Sequence, residues 1–393
     1  MALFIILLLI IIFSWMNLNF VERKIQSPHF FHSLPNSMVP DQYEQAAFIE
    51  WPPLQKYSPS NYPKYRPLLE ILESWNPDIA DQPDRFVETL QHFNYSDPHE
   101  RRIAETYRDA EVPFKVYDVP EFEKARLKWT KSYLTDRLSG KKCRVEKSKN
   151  NHFMYWTKRN SFKRSSEYVP PTDVIDMTFD QWSSVAERAD VMRISNSSEH
   201  FYFMADDHIA PFVREDLPLF SSSTPNFFIV NPDANKGIQC RFGMRGIISE
   251  SHYDSGRNMV AMVTGRKRYI LTPPSSCRYL GIISDKKHPS FRHSVIDWSD
   301  LQQGRAHSFD RVDGIDTIVR PGEVLYIPSF WFHYITSLQY SIQCNSRSGF
   351  PKNFDGAEHI EKADCINQPI AQRKGLKKRA VRGKIRRHAR IHE

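Results

Sequence analysis

The chain of 393 residues is short of cysteine, short of glycine and, away from one end, short of net charge. Its five cysteines (Cys143, Cys240, Cys277, Cys344, Cys365) include no C-x-x-C pair. That argues against a zinc ribbon and against a disulfide framework, and the odd number leaves at least one thiol unpaired. Fourteen glycines stand against 26 prolines, a balance that favours extended segments and turns over long uninterrupted helices. No internal repeat is evident. With 40% hydrophobic and 25% charged residues, the composition is that of an ordinary globular protein, long enough for one large domain or two of ordinary size.

The formal charge of +8 is not spread along the chain. Ten Lys and Arg residues between Arg373 and Arg390, against Glu393, give the last 23 residues +9 and leave about −1 for everything before them. Such a tail suits anionic lipid, nucleic acid or a localisation signal, or is a solvated terminus. At the other end, residues 2–13 are uninterrupted apolar sequence and the stretch through Phe20 just reaches bilayer length, with Trp15 near one interface. No basic n-region or small-residue cleavage site accompanies it. We read residues 1–20 as a single-pass anchor, with a cleaved signal peptide as the alternative, in the endomembrane system. The side of the membrane stays open. Arg23 and Lys24 favour a cytoplasmic body, whereas the sequons Asn94-Tyr-Ser96 and Asn196-Ser-Ser198 are usable only in a lumen.

Between these ends, residues 25–64 are rich in Pro, Ser and Tyr and read as a stalk. Residues 65–110 read as helical: Leu68, Leu69, Ile71, Leu72 and Trp75 recur at helical spacing, and Phe86, Val87, Leu90 and Phe93 repeat the pattern. A further helix is expected over 120–138, ending at Gly140. From 225 to 349 the texture is of short strands between turn signals: Phe227–Val230, Ile238–Phe242, Met259–Val263, Arg268–Leu271, Val324–Ile327 and Tyr340–Cys344. Many short strands favour a sandwich or barrel over a βαβ fold. A polar insertion, 275–313, interrupts them, carries His288, His293 and His307, and is expected to form loop near the mouth of the barrel.

Ser251-His252-Tyr253-Asp254 sets an imidazole and a carboxylate two residues apart, on one face of a strand. Fifteen histidines produce roughly two H-x-D/E matches by chance, and two occur, His252-Tyr253-Asp254 and His359-Ile360-Glu361, so the tripeptide alone says nothing. Context separates them. After His252 come Gly265-Arg-Lys-Arg-Tyr-Ile-Leu-Thr-Pro-Pro274, a turn and a strand, and Pro321-Gly-Glu-Val-Leu-Tyr-Ile-Pro-Ser-Phe-Trp-Phe-His333, a turn, an apolar strand and a histidine at its far end. His359 has no such partners. His252, Asp254 and His333 can therefore form a two-histidine, one-carboxylate facial triad with open coordination positions. In the strand from 266 to 272, Lys267 shares the inward face with Tyr269 and Leu271, while Arg266 and Arg268 point out. A lysine on an apolar face is costly unless it meets a negative partner.

In this order of motifs, with Asn258 and Asn345 beside them, the chain resembles the JmjC/cupin-like Fe(II)- and 2-oxoglutarate-dependent oxygenases. It is particularly similar to the subgroup containing the asparaginyl hydroxylase of hypoxia-inducible factor. The resemblance covers 225–349 most closely and 112–224 more weakly. It implies a mainly β fold with flanking helices around a double-stranded β-helix core, and a domain over 112–350 with its core at 225–349. Residues 21–111 would then be stalk and N-terminal helical region, and 351–393 a C-terminal extension with the basic tail. It implies iron on His252, Asp254 and His333, Lys267 on the distal carboxylate of 2-oxoglutarate with Ser249 and Tyr202 assisting, and Asn258 and Asn345 lining the co-substrate pocket. The implied reaction hydroxylates a protein side chain with dioxygen, coupled to conversion of 2-oxoglutarate to succinate and CO2. The same site chemistry would serve an N-methyl-lysine demethylase or an RNA-nucleoside hydroxylase, and a non-catalytic, membrane-tethered binding module is the rival from another class.

Overall fold

A computed structural model describes residues 64–158, 167–195 and 199–349. Eight strands form the core, here β1 (Asn235–Gly243), β2 (Ile248–Tyr253), β3 (Asn258–Thr264), β4 (Lys267–Thr272), β5 (Asp313–Val319), β6 (Val324–Ile327), β7 (Phe332–Ser337) and β8 (Ser341–Ser348). They alternate between two sheets except at β4 and β5, which are neighbours in one. One runs β5-β4-β7-β2 and the other β6-β3-β8-β1, every neighbouring pair antiparallel. This is a double-stranded β-helix, the jelly-roll solution to burying two sheet faces against each other. Additional strands widen both sheets: Phe114–Tyr117 continues the second beyond β6, and His200–Asp206 and Cys143–Ser148 beyond β1, while Arg66–Pro67 and His152–Phe153 flank the first beyond β5 and β2.

The tight turns are set by glycine where no other residue fits. Gly265, between β3 and β4, has φ +72° and a Cβ there would lie 2.0 Å from the Tyr340 carbonyl oxygen. Gly322, with φ +87°, makes the turn from β5 to β6. Between the sheets, Val260, Met262, Tyr269, Leu271, Leu325 and Trp331 pack as one apolar cluster. Trp331 and Phe332 are fully buried packing residues.

Several expectations are corrected by tertiary context. The apolar positions Phe86 to Phe93 do not form a helix. Leu90 and Phe93 are buried from an extended segment whose end, His92–Asn94, pairs with Phe114–Tyr117. The helix expected over 120–138 is two, Pro120–Lys128 and Lys131–Arg137, the second started by the Thr130 hydroxyl accepting from the Tyr133 N–H. Phe227–Val230 is not a strand, because the Asn226 side chain accepts from the Phe228 and Ile229 N–H groups and folds the run back on itself. Arg268 does not point to solvent. The helix Leu68–Ser74 covers the outer face of β4, and Arg268 lies buried beneath it, paired with Asp316 at 2.6 Å and donating to the Trp75 carbonyl. The insertion is mostly irregular, as expected, but contains the short helix Leu301–Ala306. Among the described residues no helix is long and apolar enough to cross a membrane; the anchor expected over 1–20, the His359-Ile360-Glu361 motif and the basic tail lie outside them.

The reading against disulfides is corrected too. Cys240 on β1 and Cys344 on β8 face each other in register and are joined. Cys277 is also disulfide-bonded, while Cys143 is a buried free thiol. Spacing along the chain could not reveal a bridge between residues 104 apart. Replacing Cys240 and Cys344 together by alanine is expected to lower stability by about 2–4 kcal/mol. Denaturant unfolding of the double variant beside the parent checks this, and equal midpoints would remove the bridge from the account.

Candidate metal centre

The strand pairing brings the site together. On β2 and β7, His252 stands directly opposite His333, with ring centroids 4.2 Å apart. Asp254 follows one residue past the end of β2, where its carbonyl accepts from the Phe330 N–H at 2.8 Å. The ligating atoms of His252, Asp254 and His333 all lie within 4.8 Å of one another. Each imidazole has Nδ1 against a main-chain carbonyl two residues back, His252 against Glu250 at 2.7 Å and His333 against Trp331 at 3.1 Å. A carbonyl only accepts, so Nδ1 carries the proton and Nε2 presents a lone pair.

The electrostatics keep these forms. Burial holds both imidazoles below their ordinary pKa, His252 well below it, with His333 and His293 adding to the effect on His252. Burial alone would raise the Asp254 carboxyl, but the guanidinium groups of Arg347 and Arg292 hold it well below the usual carboxylate range. Both donate to Oδ1, at 2.7 and 3.0 Å, while Asn258 Nδ2 faces Oδ2 at 3.4 Å. Two neutral nitrogen donors and one ionised oxygen donor at this spacing suit a divalent transition metal, and all three side chains line a cavity of about 250 Å3.

The other residues singled out in the sequence cluster at that cavity. Tyr202, Ser249, Asn258 and Asn345 line it, and Asn345 Nδ2 donates to Asn258 Oδ1 at 3.0 Å. Lys267 is fully buried, with Nζ 3.2 Å from the Tyr202 hydroxyl and 5.1 Å from the centre of that ring. Burial lowers the pKa of its ammonium, and no carboxylate of the described residues forms an ion pair with it.

Sequence reasoning missed Arg347 and Arg292. Arg347 could have been found, since it follows Gln343 and Asn345 at the alternation of β8 and lines the same cavity. Arg292 could not: it comes from the insertion and adopts φ 78°, which a bulky side chain rarely takes. His293, noted only as part of that insertion, bridges to β2 opposite His252 and stacks on its ring at 4.9 Å. The insertion thus forms one side of the site.

Behind β2, His152 bonds Glu250 through Nδ1 at 2.6 Å and Asp78 through Nε2 at 3.0 Å. Burial opposes protonation there, but the two carboxylates outweigh it and push the imidazole up to about 10. The clamp holds the strand that carries His252.

The geometry defines a class: a double-stranded β-helix with a two-histidine, one-carboxylate centre inside it. The chain belongs to the family of cupin-like domains, which it matches over residues 100–346. Among curated relatives it is similar to the tRNA wybutosine-synthesizing protein 5 of Danio rerio, 30% identical over 135 residues that cover 34% of this chain and 39% of that protein. It is similar also to the lysine-specific demethylase JMJ30 of Arabidopsis thaliana, 28% identical over 33% of this chain and 29% of that protein. A third is the Jumonji C domain-containing protein 5 of Drosophila melanogaster, 25% identical over 36% and 35%. The chain spans well under half the length of each of these relatives.

Because the folded pKa of His152 is raised, its stabilising effect is complete below its unfolded value near 6.5 and is lost as pH rises through about 10. His152→Gln should therefore cost about 3 kcal/mol at neutral pH and flatten the alkaline fall in stability between pH 6.5 and 10. Denaturant midpoints across that range measure it; parallel curves for the two proteins would show that the clamp is not charged.

Proposed function

We propose that the chain is an Fe(II)- and 2-oxoglutarate-dependent oxygenase that hydroxylates a protein side chain. The observation that carries this reading is Lys267. A fully buried ammonium without a carboxylate partner among the described residues is costly to maintain, and its Tyr202 partner lines a cavity that also holds the three candidate metal-ligating side chains. A dicarboxylate co-substrate supplies the missing anion at one end and chelates the metal at the other.

In this reading His252 and His333 give Nε2, and Asp254 a carboxylate oxygen, to the iron. Lys267, with the Tyr202 and Ser249 hydroxyls, holds the distal carboxylate of 2-oxoglutarate, and Asn258 and Asn345 orient its near end. Bound iron and co-substrate supply the oxidising power, taking dioxygen and a C–H bond to an alcohol while 2-oxoglutarate becomes succinate and CO2. The protein fixes geometry and excludes water. The buried walls Tyr269, Val260 and Ile335 serve the second task.

The relatives' names point to lysine demethylation and to a tRNA base as other outcomes of such a site. The Cys240–Cys344 bridge favours a protein substrate, because persistent disulfides belong to oxidising compartments, where secretory proteins are at hand and tRNA and chromatin are not. A lumenal body behind an N-terminal anchor is the arrangement we infer.

Succinate formation from 2-oxoglutarate with Fe(II) and ascorbate should be abolished in His252→Ala. Lys267→Ala should weaken 2-oxoglutarate binding about 30-fold or more, the loss of a buried charged partner being about 2 kcal/mol or greater, with Co(II) binding at the triad retained. Equal succinate background in wild type and His252→Ala would leave a binding module and overturn the enzymatic reading.

A further inference from the structure

At the mouth of the cavity, two cations are aimed at one point. Arg347, from β8, sends Nη1 to Asp254 Oδ1 and Nη2 to Gln239 Oε1 at 3.1 Å, and Arg292, from the insertion, sends Nη1 to the same Oδ1. Neither side chain is sealed away, with 22% and 26% exposure against 10% for the Asp254 side chain. Both also line a second, outer cavity of about 330 Å3, where Lys236, Ser255 and Gly256 continue the wall. The two guanidinium groups therefore sit between the metal-ligand cavity and the surface. Arg292 reaches this place from a left-handed backbone conformation, with φ 78°, which a bulky side chain rarely adopts.

The charge count makes them conspicuous. Asp254 is their shared counter-ion in this structure. If its carboxylate served a divalent metal, and a dicarboxylate were balanced by that metal together with Lys267, Arg292 and Arg347 would keep two positive charges with no other anion among the described residues paired to them. Arg241 adds a third guanidinium on the adjacent strand, against Glu146 across the cavity wall. Paired guanidinium groups favour carboxylates and phosphates through directed, charge-assisted hydrogen bonds.

We propose that Arg292 and Arg347 form a subsite for an acidic side chain of the substrate, so that the hydroxylated residue lies in a Glu- or Asp-bearing peptide. This rests on the oxygenase reading and adds the substrate class to it. A peptide is favoured over RNA because the disulfide between Cys240 and Cys344 joins the same two strands that carry Arg241 and Arg347, and an oxidising compartment offers acidic proteins rather than nucleic acid. Arg292 and Arg347 act as specificity-determining residues. Their guanidinium groups take the substrate carboxylate at the edge of the metal site and set which neighbouring C–H bond enters.

The test uses the full chain loaded with Co(II), whose visible absorption reports the triad independently of turnover. Fluorescence anisotropy follows a labelled Glu/Asp-rich dodecapeptide, with a labelled single-stranded RNA dodecamer as comparator. The basic tail is common to every variant, so only differences between variants are read. The expected result is at least a tenfold loss of peptide affinity in the Arg292→Gln, Arg347→Gln double variant. RNA binding should be unchanged, and peptide affinity partly restored when both positions are lysine, each variant being compared at a Co(II) concentration that saturates its triad, because both arginines also pair with Asp254. Unchanged peptide affinity in the glutamine variant, or an RNA loss as large as the peptide loss, overturns the proposal. A Co(II) spectrum that saturating metal fails to restore in that variant also overturns it, since the arginines would then act only by positioning Asp254. Absence of a His252-dependent Co(II) spectrum in the unaltered chain is a separate failure, that of the oxygenase reading itself.

Discussion

The register of β2 against β7 is the constraint on which the site depends. His252 and His333 meet because they are direct partners across that ladder. In a strand, a slip of one residue would turn either imidazole to the other face of the sheet. The register is pinned at both ends. Toward the site, the Asp254 carbonyl accepts from the Phe330 N–H, and at the far end the Ser337 N–H donates to the Ile247 carbonyl. His152, Glu250 and Asp78 hold β2 from behind. Asp254, one residue beyond the strand, leaves the ladder and can bring its carboxylate toward both rings.

A gradient of charge follows along the cavity. Behind the cavity-lining Tyr202, the ammonium of Lys267 is buried against that hydroxyl and has no anionic partner among the described residues. At the centre the imidazoles are kept neutral by burial and the carboxylate is kept ionised by two arginines. At the mouth those same arginines face the surface. Each charged group is one that an apolar interior would reject without a partner. The distribution is the one that the occupants proposed above would complete: an anion beside Lys267, a cation between the imidazoles and Asp254, and a second anion at the arginines.

Much of this was legible in the chain. The two-residue period of a strand turned Lys267 inward and motif order pointed to His252, whereas Asp254 reaches the imidazoles from one residue beyond the strand end rather than from its face. What sequence alone could not supply was the identity of whatever covers an outward face. Arg268 alternates with Lys267 and reads as solvent-exposed, yet a helix two hundred residues earlier lies over it and converts it to a buried ion pair with Asp316. Phe86 to Phe93 shows a helical period that packing on the sheet edge overrides. Arg292 depends on the path of an insertion without periodicity.

The wall formed by β1 and β8 poses a different problem. Its inner face carries Gln239, Arg241, Gln343, Asn345 and Arg347, which contribute little apolar burial and are partnered in part by one another, by Asn258 and by the Tyr269 hydroxyl. Register sets Arg241 opposite Gln343 and Gln239 opposite Asn345, so polar pairs line the cavity along the whole wall. The alternate residues face outward, where Ile238, Phe242 and Ile342 are buried and Phe242 packs against Trp182, Phe179 and Phe203. Cys240 and Cys344 occupy that outward face between them. A wall that is polar on its working side is thus held from its back by aromatic packing and a covalent bond, leaving the inner positions free to be chosen for binding rather than for stability.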